Sequence, residues 1–306
     1  TVGAFERFVQ RVVPEWTKFV ERWIPLYQPV HYLDMAYRER KWPSGRRNPL
    51  REGQALTNMA AAHLAACRAI RAQQDNAQIG VALRVRTPVP DDPDSPWDLR
   101  VSRHEAGRAG DSFLDLIQHG HWRNLRCPAA PTHLHQAVDF IAVTESGHEV
   151  VRFSPFCFSG HFAAYECGTA GRSVGAQCRS LHETLRRMAN RELPIYILND
   201  GFPAHDDGDR CCHVLDMLAA THEALVSGID IRAYIYGPLL DGLNWTDGFV
   251  ERCGLIHVDW ETLARTPNTS AFLLKEIAER RRIDSGLVAR FQLPWKPWQF
   301  PRHEET

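Results

Sequence analysis

The residues best suited to chemistry stand just beyond four apolar runs that predict strands. They are Tyr27, Gln28 and His31 after the first run, Glu145 after another, Asn199 and Asp200 after a third, and Asn244 and Trp245 after the last. Phenol, amide and imidazole groups can position a ligand and stabilise a developing oxyanion, and carboxylates can transfer protons. In β/α barrels the loops after strands carry the chemistry, so the spacing predicts one site at the strand carboxyl ends.

A regular alternation of predicted strands and helices positions these residues. Five apolar runs predict strands, at Trp23–Leu26, Ile79–Val85, Val138–Thr144, Leu193–Leu198 and Ile231–Tyr236. Patterns of helical period lie before and between them, among them a first helix over residues 5–22 with Pro14 inside, and another that ends near Gln118. We expect Pro14 to kink or divide the first helix, and Thr87–Pro96 to form a loop. The alternation predicts a single α/β domain over residues 1–306 with a parallel sheet.

Composition excludes several function classes. The chain has 306 residues and a formal net charge of −1, which gives no basic footprint for nucleic acid and no attraction to an anionic membrane. No apolar run is long enough to span a bilayer. The eight cysteines show no disulfide-like spacing, which favours a reduced, cytoplasmic protein. The spacing of Cys157, His161, Cys167 and Cys178 is irregular, so we expect neither a metal nor another cofactor.

Several segments over about residues 5–282 carry a resemblance to a known family, and three of them bear on the site. WIPLYQP (23–29) is similar to W-I-T-L-N-E-P, PIYILNDG (194–201) to P-I-Y-I-T-E-N-G, and the stretch Ile229–Trp260 to a long strand-and-loop signature. All belong to family 1 of the glycoside hydrolases, the β-glucosidase family. The resemblance implies a partial (β/α)8 TIM-barrel-like fold, which holds the last five strand–helix units and lacks the first three.

The same resemblance implies altered chemistry. Gln28 stands at the position of the family's acid/base glutamate, and Asn199 at that of its nucleophile. A retaining glycosidase needs two carboxyl groups roughly 5–5.5 Å apart, and amides neither ionise nor form the usual glycosyl ester. Asp200 is one residue beyond the nucleophile position. Strand alternation predicts that its side chain points to the other face.

Recognition of the sugar is replaced as well. The resemblance puts Tyr27 at the position of a sugar-binding asparagine and Asn244 at that of a sugar-binding glutamate, whereas Trp245 is retained. Glu145 is either a new carboxylate at the catalytic face or a solvated loop residue. His31 either lies near the mouth of the site or has a structural role.

Three function classes remain open. The first, which we favour, is a repurposed glycosidase-fold protein that binds or transforms a non-standard small molecule, such as a biosynthetic intermediate, without ordinary glycoside hydrolysis. The others are a non-catalytic scaffold that binds a partner, and an atypical glycoside hydrolase. Because three units are missing, two strand edges lack neighbours. We expect a homodimer or a partner chain to cover them, unless the first helix and residues 290–301 fold across the gap.

Overall fold

The computed structural model describes residues 1–43, 45, 48–108, 111–119, 138–154, 174–204, 206–246 and 248–296. Of residues 49, 107, 108, 111, 145–148 and 174–177 it describes the backbone alone. The main sheet contains β1 (Arg22–Trp23), β2 (Gln78–Pro90), β3 (Phe140–Val151), β4 (Ile195–Asn199) and β5 (Ile231–Tyr236). All five are parallel and lie in chain order, which makes a curled half-barrel.

Helices connect and cover these strands. They are α1 (Val2–Trp16), α2 (Pro29–Leu33) with a π-helix (Asp34–Arg38), α3 (Pro49–Arg71), α4 (Pro96–Arg108), α5 (Asp111–His119), α6 (Val174–Ala189), α7 (Asp207–Val226), α8 (Thr269–Arg280) and α9 (Ser285–Arg290). A small antiparallel pair, β6 (Ile256–Val258) and β7 (Arg265–Pro267), follows β5. No helix in the described ranges is long and apolar enough to cross a membrane.

The main sheet has two chemically distinct faces because side chains alternate along each strand. Val81, Val143 and Ile197 belong to the large core that the sheet shares with α3, α5, α6 and α7. This is the helix-facing side. Ala82 and Ala142 belong instead to a small cluster that contains no helix residue and includes Tyr196 and Leu198. We call this second side the inner face.

Two strands are longer than the sequence indicates. β2 continues to Pro90 and β3 to Val151, and the extensions pair with each other from Thr87↔His148 to Pro90↔Val151. The predicted loop at Thr87–Pro96 is therefore wrong in its first part, because the neighbouring strand supplies the hydrogen-bond partners that local sequence does not reveal. The region before Gln118 forms two helices rather than one, and α1 runs through Pro14 undivided.

A buried ionic cluster fastens the π-helix to the extended strands. Arg86 on β2 lies 2.8 Å from Asp34 and 3.2 Å from Glu149. Arg38 lies 3.3 Å from Asp34 and 2.9 Å from Glu52. Burial raises the pKa of the nearby carboxyls Glu52, Glu105 and Glu149. Separating the partners of such a cluster would leave an uncompensated buried charge. The cluster therefore holds the π-helix, which follows Gln28 in the chain, against β2 and β3.

The two sheet edges stay open in the described part of the chain. β1 pairs only with β2, and β5 only with β4. The first helix packs on α3 rather than beyond β1. Phe291, Leu293 and Trp295 pack against α7 and α8, so the C-terminal segment as far as Lys296 does not fold across the gap. Ile235 on β5 is consequently 49% exposed.

The contact between the C-terminal segment and α7 predicts a pH effect on stability. Trp295 Nε1 donates to Asp216 Oδ1 at 2.8 Å, and burial raises the pKa of Asp216 to about 6. The stability that this carboxyl contributes is present below pH 4 and is lost as the pH rises through 6. An Asp216→Asn variant, which keeps the acceptor for Trp295, should therefore be about 1–3 kcal/mol more stable than the wild type at pH 8.

Urea unfolding at pH 8 and pH 4.5 measures this difference. The gain should shrink at pH 4.5, where Asp216 is protonated in the folded chain. Asp209→Asn, an exposed change on the same helix, is the control and should stay within about 0.5 kcal/mol of the wild type at both pH values. Equal destabilisation of Asp216→Asn at both pH values would contradict the prediction.

Candidate functional site

Gln28 stands at the centre of the strand carboxyl ends. Its backbone is left-handed, with φ of +50°, and its N–H donates to the Ala82 carbonyl at 2.8 Å. The side chain is only 7% exposed, and its Nε2 donates to Thr144 Oγ1 at 2.8 Å and to Asp200 Oδ2 at 2.7 Å. A left-handed conformation is costly for glutamine. The contacts with β2, β3 and Asp200 hold it there.

Asp200 receives a second hydrogen bond from Tyr27. The phenol hydroxyl donates to Asp200 Oδ1, while the rest of the Tyr27 side chain remains more than half exposed. Loss of water around the hydroxyl, and then the negative charge of Asp200, raise the pKa of Tyr27. Tyr27 is therefore a neutral donor at ordinary pH. The Asp200 carboxylate is held between a phenol and an amide.

Asn199 faces the opposite way. Its Nδ2 lies 3.1 Å from Nε2 of His213 on α7, and its Oδ1 accepts from the Gly201 N–H at 2.8 Å. Ile195 and Ile197, two and four residues earlier, also face the helices. Strand alternation does separate Asn199 from Asp200, as the sequence predicts. However, Asp200 is the residue that joins Gln28 at the strand ends, and Asn199 is not.

The chain turns sharply after Asp200 to make this possible. Gly201 has φ of +84°, and a Cβ added there would lie 2.8 Å from Cβ of Cys253. Only glycine combines that conformation with so close an approach. On the other side of the turn, the ring of Phe202 stacks on His213 with centroids 4.6 Å apart. The turn thereby fixes the direction of the Asp200 carboxylate.

Arg84 is a site residue that the sequence analysis missed. It pairs with Thr144 in the β2–β3 register and follows Ala82 by two residues, so it belongs to the inner face. Its Nη1 lies 3.1 Å from Nε2 of His31. Burial, and then the charge of Arg84, lower the pKa of His31 to about 3, so the imidazole is neutral and accepts from the guanidinium. The signal that could have found Arg84 is strand alternation, which places it on the same face as Ala82 two residues earlier.

An aromatic rim stands above these polar groups. The rings of Trp42 and Trp245 lie 5.8 Å apart, and His31 contacts Trp42 edge-on at 5.2 Å. Trp42 Nε1 also donates to Thr246 Oγ1 at 3.2 Å, which joins the loop after the π-helix to the loop after β5. Trp245 is 72% exposed and forms an open apolar platform.

Asn244 is built into the loop that presents Trp245. Its Oδ1 accepts from the Thr246 N–H at 2.9 Å, and its Nδ2 donates to Glu251 Oε2 at 3.3 Å. Its backbone also exchanges hydrogen bonds with Gly248. These contacts give Asn244 a structural part in the turn.

Two further expectations concern Glu145 and metal ligands. Glu145 lies inside β3 opposite Val85, not at a strand end as the sequence suggested, and its side chain is outside the described part. Among the described side chains, no three His, Cys, Asp or Glu groups are arranged to hold a metal ion. Cys157, His161 and Cys167 lie outside the described residues, and Cys178 is buried in the core.

A groove of about 900 Å³ lies elsewhere in the molecule, between α7, α8 and α9. Its lining is mainly apolar and includes Leu218 and Leu225 from the second half of α7. That half of the helix is remote from Asn199 and His213, which mark the strand carboxyl ends. The groove therefore holds none of the residues of the strand carboxyl ends, although Trp295 lines it.

The opposite orientations of Asn199 and Asp200 predict unequal losses of stability on substitution. Asn199→Ala leaves the Gly201 N–H without its acceptor in a buried place, which should cost about 1–3 kcal/mol of unfolding free energy. Asp200→Asn keeps an acceptor for Tyr27 at a more open position and should cost less than 1 kcal/mol by the same scale. Urea unfolding of the two variants measures both. A larger loss for Asp200→Asn than for Asn199→Ala would show that the orientations are reversed.

Comparison with known proteins was made on this fold and site. Glycosyl hydrolase family 1 matches residues 1–149 and 167–283. A β-glycosidase from Pyrococcus horikoshii superposes with a TM-score of 0.82 at 25% identity, over 96% of this chain and 69% of that one. A family 1 β-glucosidase from Thermotoga maritima gives a TM-score of 0.80 at 18% identity, over 93% and 69%.

Sequence relatives agree with the structural ones. "Beta-glucosidase-like SFR2, chloroplastic" from Oryza sativa subsp. japonica is 24% identical over 92% of this chain and 43% of its own length. Beta-glucosidase A from Acetivibrio thermocellus is 24% identical over 72% of this chain and 55% of its own. The chain spans about half the length of these curated relatives. With a partial barrel and a match over most of its residues, the chain belongs to glycosyl hydrolase family 1.

Proposed function

We propose that this chain binds or transforms a non-standard small molecule at the strand carboxyl ends and does not carry out ordinary glycoside hydrolysis. The observation that supports this most is the 2.7 Å hydrogen bond from Gln28 Nε2 to Asp200 Oδ2. At this site an amide touches a carboxylate, where a retaining glycosidase keeps two carboxyl groups apart on either side of the sugar.

The contact argues against the usual mechanism on two grounds. An amide has no ionisable proton, and loss of a general acid or base alone typically costs about 10²–10⁴ in rate. The retaining mechanism also needs a gap of about 5–5.5 Å between the two groups, into which the anomeric carbon fits. Gln28 and Asp200 occupy that gap with their own hydrogen bond, so a sugar cannot enter between them without breaking it.

The remaining groups suit binding and proton transfer. Asp200 can accept a hydrogen bond or a proton from a ligand, and neutral Tyr27 can donate one. Trp245 supplies a face on which a ring can stack. In this proposal Asp200, Tyr27 and Gln28 touch the ligand, and His31 acts through Arg84 as a positioning residue.

An atypical glycoside hydrolase is the alternative that the direction of Asp200 favours, because this carboxylate does lie at the strand ends. Release of nitrophenol from nitrophenyl β-glucoside and β-galactoside decides between the two. We expect wild type and Asp200→Ala to give the same background rate. Asn244→Ala, a change in the neighbouring loop, is the control and should give that rate too. A wild-type rate at least about tenfold above that of Asp200→Ala would favour the hydrolase.

A partner-binding role rests on a separate observation, the open edges of β1 and β5. Unpaired edges invite pairing with another chain, and the exposed Ile235 adds apolar surface at one of them. We propose that a second copy of the chain, or another polypeptide, covers them.

Light scattering on the purified chain tests the homodimer. The expected mass is twice the 34.9 kDa of one chain. Ile235→Lys, on the open edge, should shift the mass towards one chain, whereas Leu263→Lys, an exposed apolar position away from that edge, should not. A clean single-chain mass for the wild type without a co-purifying polypeptide would contradict this proposal.

We also propose a cytoplasmic location. The cysteines that the structure describes, Cys67, Cys178, Cys211, Cys212 and Cys253, are all free thiols. Free thiols persist in reducing compartments, and this supports the proposal.

A further inference from the structure

The strand carboxyl ends carry a cation that forms no ion pair with a described carboxylate side chain. Arg84 is half-buried, and within the described part of the chain its polar contact is with the neutral ring of His31 at 3.1 Å. Among the described carboxylate side chains none lies within ion-pair distance of it, and Arg84 acts only at longer range on Glu149, whose pKa its charge lowers. A partly desolvated guanidinium without a counter-ion is costly, and an oxyanion restores the balance by a bidentate contact.

The neighbouring arginine shows what the chain does with a cation that serves the fold. Arg86, two residues further along β2, lies 2.8 Å from Asp34 and 3.2 Å from Glu149. Three nearby carboxyl groups therefore share its charge, Glu105 being the third at 3.8 Å. The carboxylate closest to the site itself, Asp200, is held by Tyr27 and Gln28 rather than by Arg84.

From this contrast we infer that Arg84 binds an anionic group of the ligand, a carboxylate or a phosphate, at the strand carboxyl ends. The inference rests on the proposed function and adds the chemical class of the ligand. Neutral His31 positions the guanidinium by accepting one of its hydrogens, which leaves the other donors for the ligand. Its low pKa supports this arrangement, because a protonated ring would repel Arg84. Trp245 can then stack on the uncharged part of the ligand.

Titration calorimetry with three probes of one size class tests the inference. Glucuronate carries a carboxylate, glucose 6-phosphate carries a phosphate, and glucose carries no charge. The two anionic probes therefore also show whether the site prefers a carboxylate or a phosphate. We expect at least one anionic probe to bind the wild type at least about tenfold more tightly than glucose, and Arg84→Met to abolish the difference. Arg84→Lys should restore part of it, because it keeps the charge and loses the fork. Arg11→Met, on the exposed side of α1, is the matched control.

Salt dependence provides a readout that does not require a variant to fold. Binding of the anionic probe should weaken at least about threefold between 50 and 500 mM NaCl, whereas glucose binding should not change. Equal affinity for all three probes, no binding of either anion, or unchanged anion binding in a folded Arg84→Met variant would overturn the inference. Glucose binding that Asp200→Ala abolishes would leave the proposed function standing while the inference fails. If no probe binds in a way that Asp200→Ala weakens, the result would count against the proposed function as well as against the inference.

Discussion

The hydrogen bonds from Tyr27 and Gln28 to Asp200 join two strands of the main sheet that are far apart in sequence. They connect the segment after the edge strand β1 to the residue after β4, the fourth strand of the sheet. Both ends are built for this contact. Gln28 is held in a left-handed conformation by its bonds to Ala82 and Thr144, and Gly201 allows the chain to turn immediately after Asp200. The surrounding sheet maintains the strain because every strand in it is paired with its chain neighbour.

Electrostatics divide this region into two layers with different tasks. Arg86 belongs to a buried cluster in which carboxyl groups from the π-helix, α4 and β3 surround it, and that cluster holds the walls of the site. Arg84 lies two residues before Arg86 on β2, beside a neutral histidine and close to Tyr27. Two arginines separated by one residue thus differ in whether a described carboxylate side chain forms an ion pair with them. The arginine without such an ion pair, Arg84, is the one at the strand carboxyl ends, where Asp200 and Trp245 also lie.

The sequence predicts the architecture well because the architecture follows from periodicity. β5 has the predicted bounds, Ile231–Tyr236, and β4 ends within one residue of its predicted end at Leu198. The partial barrel is confirmed by the solved relatives. The extensions of β2 and β3 escaped prediction because Thr87–Pro90 contains two prolines and becomes a strand only beside β3. Local sequence cannot reveal that partner.

The site is harder to predict because it depends on direction rather than on order. Equivalence with a family motif puts Asn199 with Gln28, yet the two isoleucines before Asn199 commit it to the helix-facing side. Arg84 is absent from the predicted site residues, although its parity with Ala82 contains the necessary information. The central claim is that a ligand meets Asp200 and Tyr27, not Asn199. A crystal structure of the chain soaked with a small-molecule library measures this directly. The account predicts ligand density within hydrogen-bond distance of Asp200 or Tyr27. Ligand atoms hydrogen-bonded to the Asn199 side chain, or density only in the groove beside α7, would contradict it.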